Sequence, residues 1–265
     1  MRVWGRWGWR SWKTWRNLVI AFVALWIFYV AAMNGINYYF LRQQAEIFPE
    51  MALMPTALSD SGVADLGNGS TVDAFGYSLR VPWGKVSKRI DSKTLTNVDF
   101  EGGGRIMIFD PAGQLDDAKV FREAKGSART AIQKMLTPAE LSSPYLLFKA
   151  EMESSPAQEG LWHSREANAR VILLTTTKET FTLEGTTAIH PVAGGGMRGY
   201  EALRSKNGLE LVRLRLFDGR DNQVEFWLIW PSTDPKVALT QAQINAIIAS
   251  IKTNAEGCTM PGHCG

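Results

Sequence analysis

The sequence predicts an α+β domain behind a single apolar N-terminal transmembrane helix. Three observations carry that reading. Residues 17–41 hold no charged side chain for 25 positions. Further on, alternating apolar runs are separated by turn signals such as Asn207-Gly208 and Asp218-Gly219, which is the pattern of antiparallel hairpins. Apolar residues near period 3.6 recur at about 115–136 and about 240–252, as in helices packed on a sheet.

The chain has 265 residues. Its charge is unevenly placed. All 26 acidic residues lie after position 41, whereas Arg2, Arg6, Arg10, Lys13 and Arg16 precede the uncharged run. The other 24 Lys and Arg leave the remainder at −2. A near-neutral domain without a concentrated basic patch argues against nucleic-acid binding. The only cysteines, Cys258 and Cys264, sit in the last eight residues, so the core depends on no disulfide.

Taken in order, residues 1–16 form a basic, tryptophan-rich segment. On a helix, its five cations share one sector and Trp4, Trp7, Trp12 and Trp15 another, with Trp9 on the basic side. Such a helix could lie on an inner membrane surface, while the plain alternative is an irregular flank that only fixes topology. Gly5 and Gly8 oppose the helix. Residues 17–41 are long enough to cross a bilayer. The cation bias places the N-terminus in the cytoplasm of an inner (cytoplasmic) membrane and the body outside, in a periplasmic or other extracytoplasmic space. A cleaved signal peptide ending near Ala31-Ala32 competes, but the run exceeds the ~7–15 residues of a signal core. Within it Ala24, Phe28, Ala31 and Gly35 follow helical spacing, with Asn34 and Asn37 close by. That stripe suits a partner helix; the plain alternative is a passive anchor. The implied contacts are the lipid bilayer and an integral membrane protein complex.

Residues 42–71 read as a connector and 72–253 as the extracytoplasmic domain. Strands are expected at 76–82, 95–100, 105–109, 170–177, 180–190, 197–205, 209–217 and 223–230. One helix is expected at about 115–136, and a capped one at 137–153 interrupted early by Pro144. The last covers about 240–252, with Ile244, Ile247, Ile248 and Ile251 on the sheet. Val212, Leu214 and Leu216 alternate with Arg213 and Arg215, which reads as a half-buried strand.

The opening Gly76-Tyr-Ser-Leu-Arg-Val-Pro82, the Met197-Arg-Gly-Tyr200 strand and the terminal Ile-Ile-Ala-Ser-Ile-Lys252 together resemble the Mog1/PsbP-like fold over roughly residues 72–253. The resemblance implies an α/β/α sandwich. It also implies an accessory or assembly role, photosynthetic or respiratory by that analogy alone, since fold does not determine function.

Catalytic signatures are sparse. The chain has no Gly-x-Ser-x-Gly elbow and no phosphate-binding Gly-rich loop, and the Gly-x-Gly-x-x-Gly spacing of Gly194, Gly196 and Gly199 lacks the strand-to-helix switch of a dinucleotide site. Gly102–Gly104 and Gly194–Gly196 read as turns, His163 and His190 as ordinary loop and strand-end residues, and Asp116-Asp117 as a helix start. In residues 254–265, Cys258, Met260, His263 and Cys264 form a soft donor set. Its spacing matches no common closed zinc site, and a small terminal disulfide between Cys258 and Cys264 is the simpler outcome outside the cytoplasm. No catalytic residue and no cofactor is assigned. The expected function is that of a membrane-anchored interaction protein, an accessory or structural subunit of a larger complex. The alternatives are a tethered small-ligand or metal-binding module and a hydrolase with dispersed residues.

Overall fold

The computed structural model describes residues 7–58, 62–113, 117–160 and 163–253. It opens with one long helix, α1 (Trp7–Ile47), which at 1.5 Å per residue is about 60 Å long. A 3-10 turn at Pro49–Ala52 follows. Then come β1 (Ser70–Ala74), β2 (Tyr77–Val81), β3 (Val86–Asp91), β4 (Leu95–Phe100) and β5 (Arg105–Phe109). Helices α2 (Asp117–Glu123), α3 (Gly126–Met135), α4 (Pro138–Ser142), α5 (Pro144–Met152) and α6 (Arg165–Glu179) form the middle of the chain. Strands β6 (Thr186–Gly194), β7 (Met197–Lys206), β8 (Leu209–Phe217) and β9 (Gln223–Pro231), helix α7 (Gln241–Ser250) and the short β10 (Lys252–Thr253) complete it.

The strands form two antiparallel sheets, one ordered β1-β2-β10 and the other β3-β4-β5-β9-β8-β7-β6. Strand alternation divides the larger sheet into two unlike faces. Val98, Ile106, Ile108, Val212, Leu214, Leu216, Phe226 and Leu228 point one way, into a core shared with the small sheet and with Ile244, Ile247 and Ile248 of α7. Tyr200, Ala202 and Phe217 point the other way and meet Phe148 and Met152 of α5 and Phe181. The α+β class and antiparallel hairpins expected from the sequence are therefore present.

The N-terminal part of that expectation is corrected. Among the described residues no helix is long and apolar enough to cross a membrane, so the transmembrane helix and signal anchor assigned to 17–41 do not stand. Part of the expected run is instead engaged by the rest of the domain. Asn34 is buried, and its Nδ2 donates to the backbone oxygen of His163 at 3.1 Å. Through this region α1 packs on the Pro49–Ala52 turn, on α6 and on a 3-10 turn at Pro156–Gln158. The end of the expected span is thus part of the folded domain.

Three further corrections have local causes. Residues 170–177, whose Val-Ile-Leu-Leu-Thr-Thr-Thr run suggests a strand, lie inside α6. Ser164 caps that helix by accepting from Ala167 N, and the hydroxyls of Thr175 and Thr177 donate to carbonyls three and four residues back, so β-branched polar residues are satisfied within a helix. The expected 115–136 helix is split between α2 and α3, where Gly126 adopts a φ of +58°, a left-handed conformation that glycine takes without strain. Pro144 opens α5 at its first turn rather than interrupting a helix. The sequence reading also missed β1, β3 and β10. Every residue of β3 is exposed, at the edge of the large sheet, where Lys88 and Arg89 discourage further strand pairing.

One buried cation ties the layers together. Lys178 of α6 is wholly buried, and its ammonium donates to the carbonyls of Leu53, Met152 and Ser154, the last two at 2.9 Å. Burial pushes its pKa down to about 8. The segment after α1 is held in place as well by Glu50, whose carboxylate accepts from Gly185 N at 2.6 Å.

Candidate functional site

The densest polar cluster lies between the large sheet and the helices. Alternation places Arg213 and Arg215 of β8 on the helix-facing side, and the β8–β9 register sets Arg213 opposite Trp227 and Arg215 opposite Glu225. Only 7% of each arginine is exposed, so these are not the solvent face of a half-buried strand as their alternation suggests. Both sides of β8 are buried.

A single carboxylate holds the pair. Glu225 accepts from Arg213 Nε at 2.7 Å, from Arg215 Nε and Nη2 at 3.1 Å each, and from Trp227 Nε1 at 2.6 Å. Arg213 Nη1 donates to the carbonyls of Thr180 and Phe181 at 2.7 and 2.8 Å. Aromatic rings sandwich the guanidiniums: Arg213 lies over Phe181 and Trp227, and Arg215 over Phe148 and Phe181, with Cζ-to-centroid distances of 4.9–5.4 Å. Stacking of this kind lets a planar cation sit in an apolar layer.

The electrostatics follow from that packing. Burial acts to raise the Glu225 pKa, but Arg215 and Arg213 outweigh it and hold the group below its usual range. Burial lowers Arg213, against the attraction of Glu225, and the guanidinium stays charged. Next to the pair, Glu151 of α5 is pushed up to about 8, first by burial and then by the charge of Asp117, with Arg215 and a hydrogen bond from Thr177 opposing. Its Oε1 has no hydrogen-bond partner. A void of about 10 Å³ lined by Glu151, Arg215, Asp117 and Gln223 has the room of one water molecule. Beyond it a larger cavity of about 300 Å³ opens, lined by Phe109, Asp117, Thr180, Arg213, Arg215, Glu225 and Trp227.

The second candidate is the surface of α1. Ile20, Phe22, Val23, Leu25, Trp26, Ile27, Phe28 and Tyr29 are each 43% exposed or more, and Met33, Ile36 and Tyr39 are exposed beyond them. These positions go all the way round the helix between 20 and 29.

The structure divides the partner stripe expected from the sequence. Ala24 and Phe28 are exposed, Ala31 and Gly35 are half-buried, and Asn34 is spent on the contact with His163. Trp7, Arg10, Trp12, Lys13, Trp15 and Arg16 lie in α1, but their side chains are outside the described residues. So are Arg2, Trp4, Arg6 and the whole Cys258, Met260, His263, Cys264 tail. Among the described residues no group of three or more His, Cys, Asp or Glu could hold a metal ion. His190 faces Glu201 across β6 and β7, yet its Nδ1 is engaged by the Thr56 carbonyl at 2.8 Å, and the two side chains form no ion pair. His163 serves α1 through its backbone.

Sequence reasoning missed the Arg213, Arg215, Glu225 and Trp227 cluster. The signal available was the matched alternation on either side of the Asp218-Gly219 turn, which sets two arginines opposite a glutamate and a tryptophan. No family model matches the chain, and no curated protein matches it.

Proposed function

We propose that this chain is an interaction module, an accessory or structural subunit that enters a larger assembly through α1. The observation that carries the reading is the apolar surface of that helix, exposed on every side between Ile20 and Tyr29. A helix apolar all round is stable only when it is surrounded, and patches of this size mark interaction sites. The domain itself contacts α1 further along, around Asn34. The occupant we assign is therefore a set of apolar helices from a partner protein, packing around the free part of α1. The resemblance to Mog1/PsbP-like accessory proteins points the same way by analogy.

Native extraction in mild detergent from cells that make the protein, followed by size analysis and mass spectrometry, tests the proposal. A stoichiometric partner is expected, and Ile27→Asp with Phe28→Asp should abolish its co-purification. Both side chains are exposed, so the melting temperature of the domain should be unchanged. A lone monomer would overturn the reading. So would flotation of the purified chain with protein-free vesicles, unaccompanied by any protein partner.

A further inference from the structure

We propose that Glu159 is a proton-operated latch for α1: neutral, it lets the helix dock on the domain, and ionised, it loosens the helix. The inference rests on the role given to α1 above and adds the condition that frees that helix for an assembly.

A carboxyl group lies inside the seat of α1. The helix meets the domain on the turn at Pro156–Gln158, on the turn at Pro49–Ala52 and on α6. Glu159 closes the first of these turns, its N–H donating to the Pro156 carbonyl at 3.2 Å. The next residue, Gly160, is clamped by the side-chain amide of Asn168 on α6. That amide accepts from the Gly160 N–H at 3.2 Å and donates to its carbonyl at 3.0 Å. Three residues on, the His163 carbonyl receives Asn34 of α1. The backbone on either side of Glu159 is therefore held to α1 and to α6.

Glu159 is 7% exposed, and neither of its carboxylate oxygens has a hydrogen-bond partner. Burial without donors disfavours the charged form and raises the pKa above the ordinary 4.5. The charged and titratable groups on the packed elements are spent elsewhere or face water. Glu50 accepts from Gly185 N, and Arg42 of α1 pairs with Glu46. On α6, Arg165 and Glu166 are exposed, Arg170 holds Glu140, Lys178 holds three carbonyls, and Glu179 ends the helix about four turns on. His163 is exposed and lays its ring against Gly160. Lifting α1 lets water reach the Glu159 carboxylate, so the lifted state ionises at lower pH than the docked one. Docking is therefore strongest in acid and weakens as pH rises through the interval between the two pKa values.

Hydrogen exchange on the full-length chain without a partner reads the docking, each amide rate being divided by its intrinsic rate at the same pH. Protection in the α1 segment around residue 34 and in residues 157–160 should fall about threefold or more between pH 4.5 and pH 8. In Glu159→Gln it should stay near its acid value throughout. His163→Gln and Glu201→Gln should keep the fall of the unsubstituted chain, which separates the latch from the imidazole and from the buried carboxyl group of β7. Level protection in the unsubstituted chain overturns the proposal. An undiminished fall in Glu159→Gln does so too, as does loss of the fall in His163→Gln or Glu201→Gln. With no partner present, each of these results leaves the co-purification test of α1 untouched.

Discussion

Glu201 of β7 is buried with both carboxylate oxygens lacking a hydrogen-bond partner, and burial pushes its pKa up to about 7 from the ordinary 4.5. Its protonated form is therefore the one the fold prefers. Below pH 4.5 the group is neutral in both folded and unfolded chains. As pH rises from 4.5 to 7 the unfolded chain ionises first and stability falls, by on the order of 3 kcal/mol once pH exceeds 7. Glu201→Gln should accordingly stabilise the domain by about 2 kcal/mol at pH 8 and by almost nothing at pH 4. Urea unfolding at the two pH values reads the difference; equal effects at both would refute the account. Lys178 behaves oppositely on substitution, because its ammonium satisfies three carbonyls. Lys178→Met should cost roughly 3 kcal/mol or more by leaving them dry, measured by the same unfolding. Neither residue declares itself in the sequence. Burial of a charge is decided by what folds over it, and for Lys178 the carbonyls that receive it come from 24 to 125 residues away.

At the scale of elements, β7 and β8 approach so closely that a Cβ on Gly199 would collide with the Arg215 carbonyl. Gly199→Ala should therefore spread β7 from β8 and cost about 3 kcal/mol or more, visible as a large loss of melting temperature. The hairpins on either side were legible, since Asn207-Gly208 and Asp218-Gly219 are turn chemistry that acts locally. Helix α6 was not legible: its Thr-rich stretch has strand-like composition, and tertiary burial of Asn168, Leu174, Thr175 and Lys178 overrides that preference. The contact of α1 with the domain was equally hidden, because one amide meeting one carbonyl leaves no periodic trace. Asn34→Ala should cost about 1 kcal/mol and raise hydrogen exchange in the α1 segment around residue 34 and at the turn before α6. Unchanged protection at both places would place the hold on α1 elsewhere.

For the molecule as a whole, antiparallel pairing and a closing helix followed from alternation and from the isoleucine stripe of α7, so the class of fold was readable from residues alone. The fate of the apolar N-terminal run was not, because hydropathy records that a segment avoids water without recording what covers it. If α1 serves an assembly, removing residues 1–32 should leave a domain that folds and stays monodisperse at concentrations where the full-length chain associates. Light scattering of the two proteins side by side makes the comparison, and equal association would remove α1 from the interaction.

The small sheet is closed by Lys252 and Thr253 pairing with Ser78 and Tyr77, just after α7 supplies Ile244, Ile247 and Ile248 to the main core. A ribosome must therefore have released nearly all of this domain before its two sheets can seal on each other. Until then the half-made chain carries naked apolar strands, and translation stopped anywhere before Gln241 should yield fodder for chaperones and proteases rather than a shortened working protein.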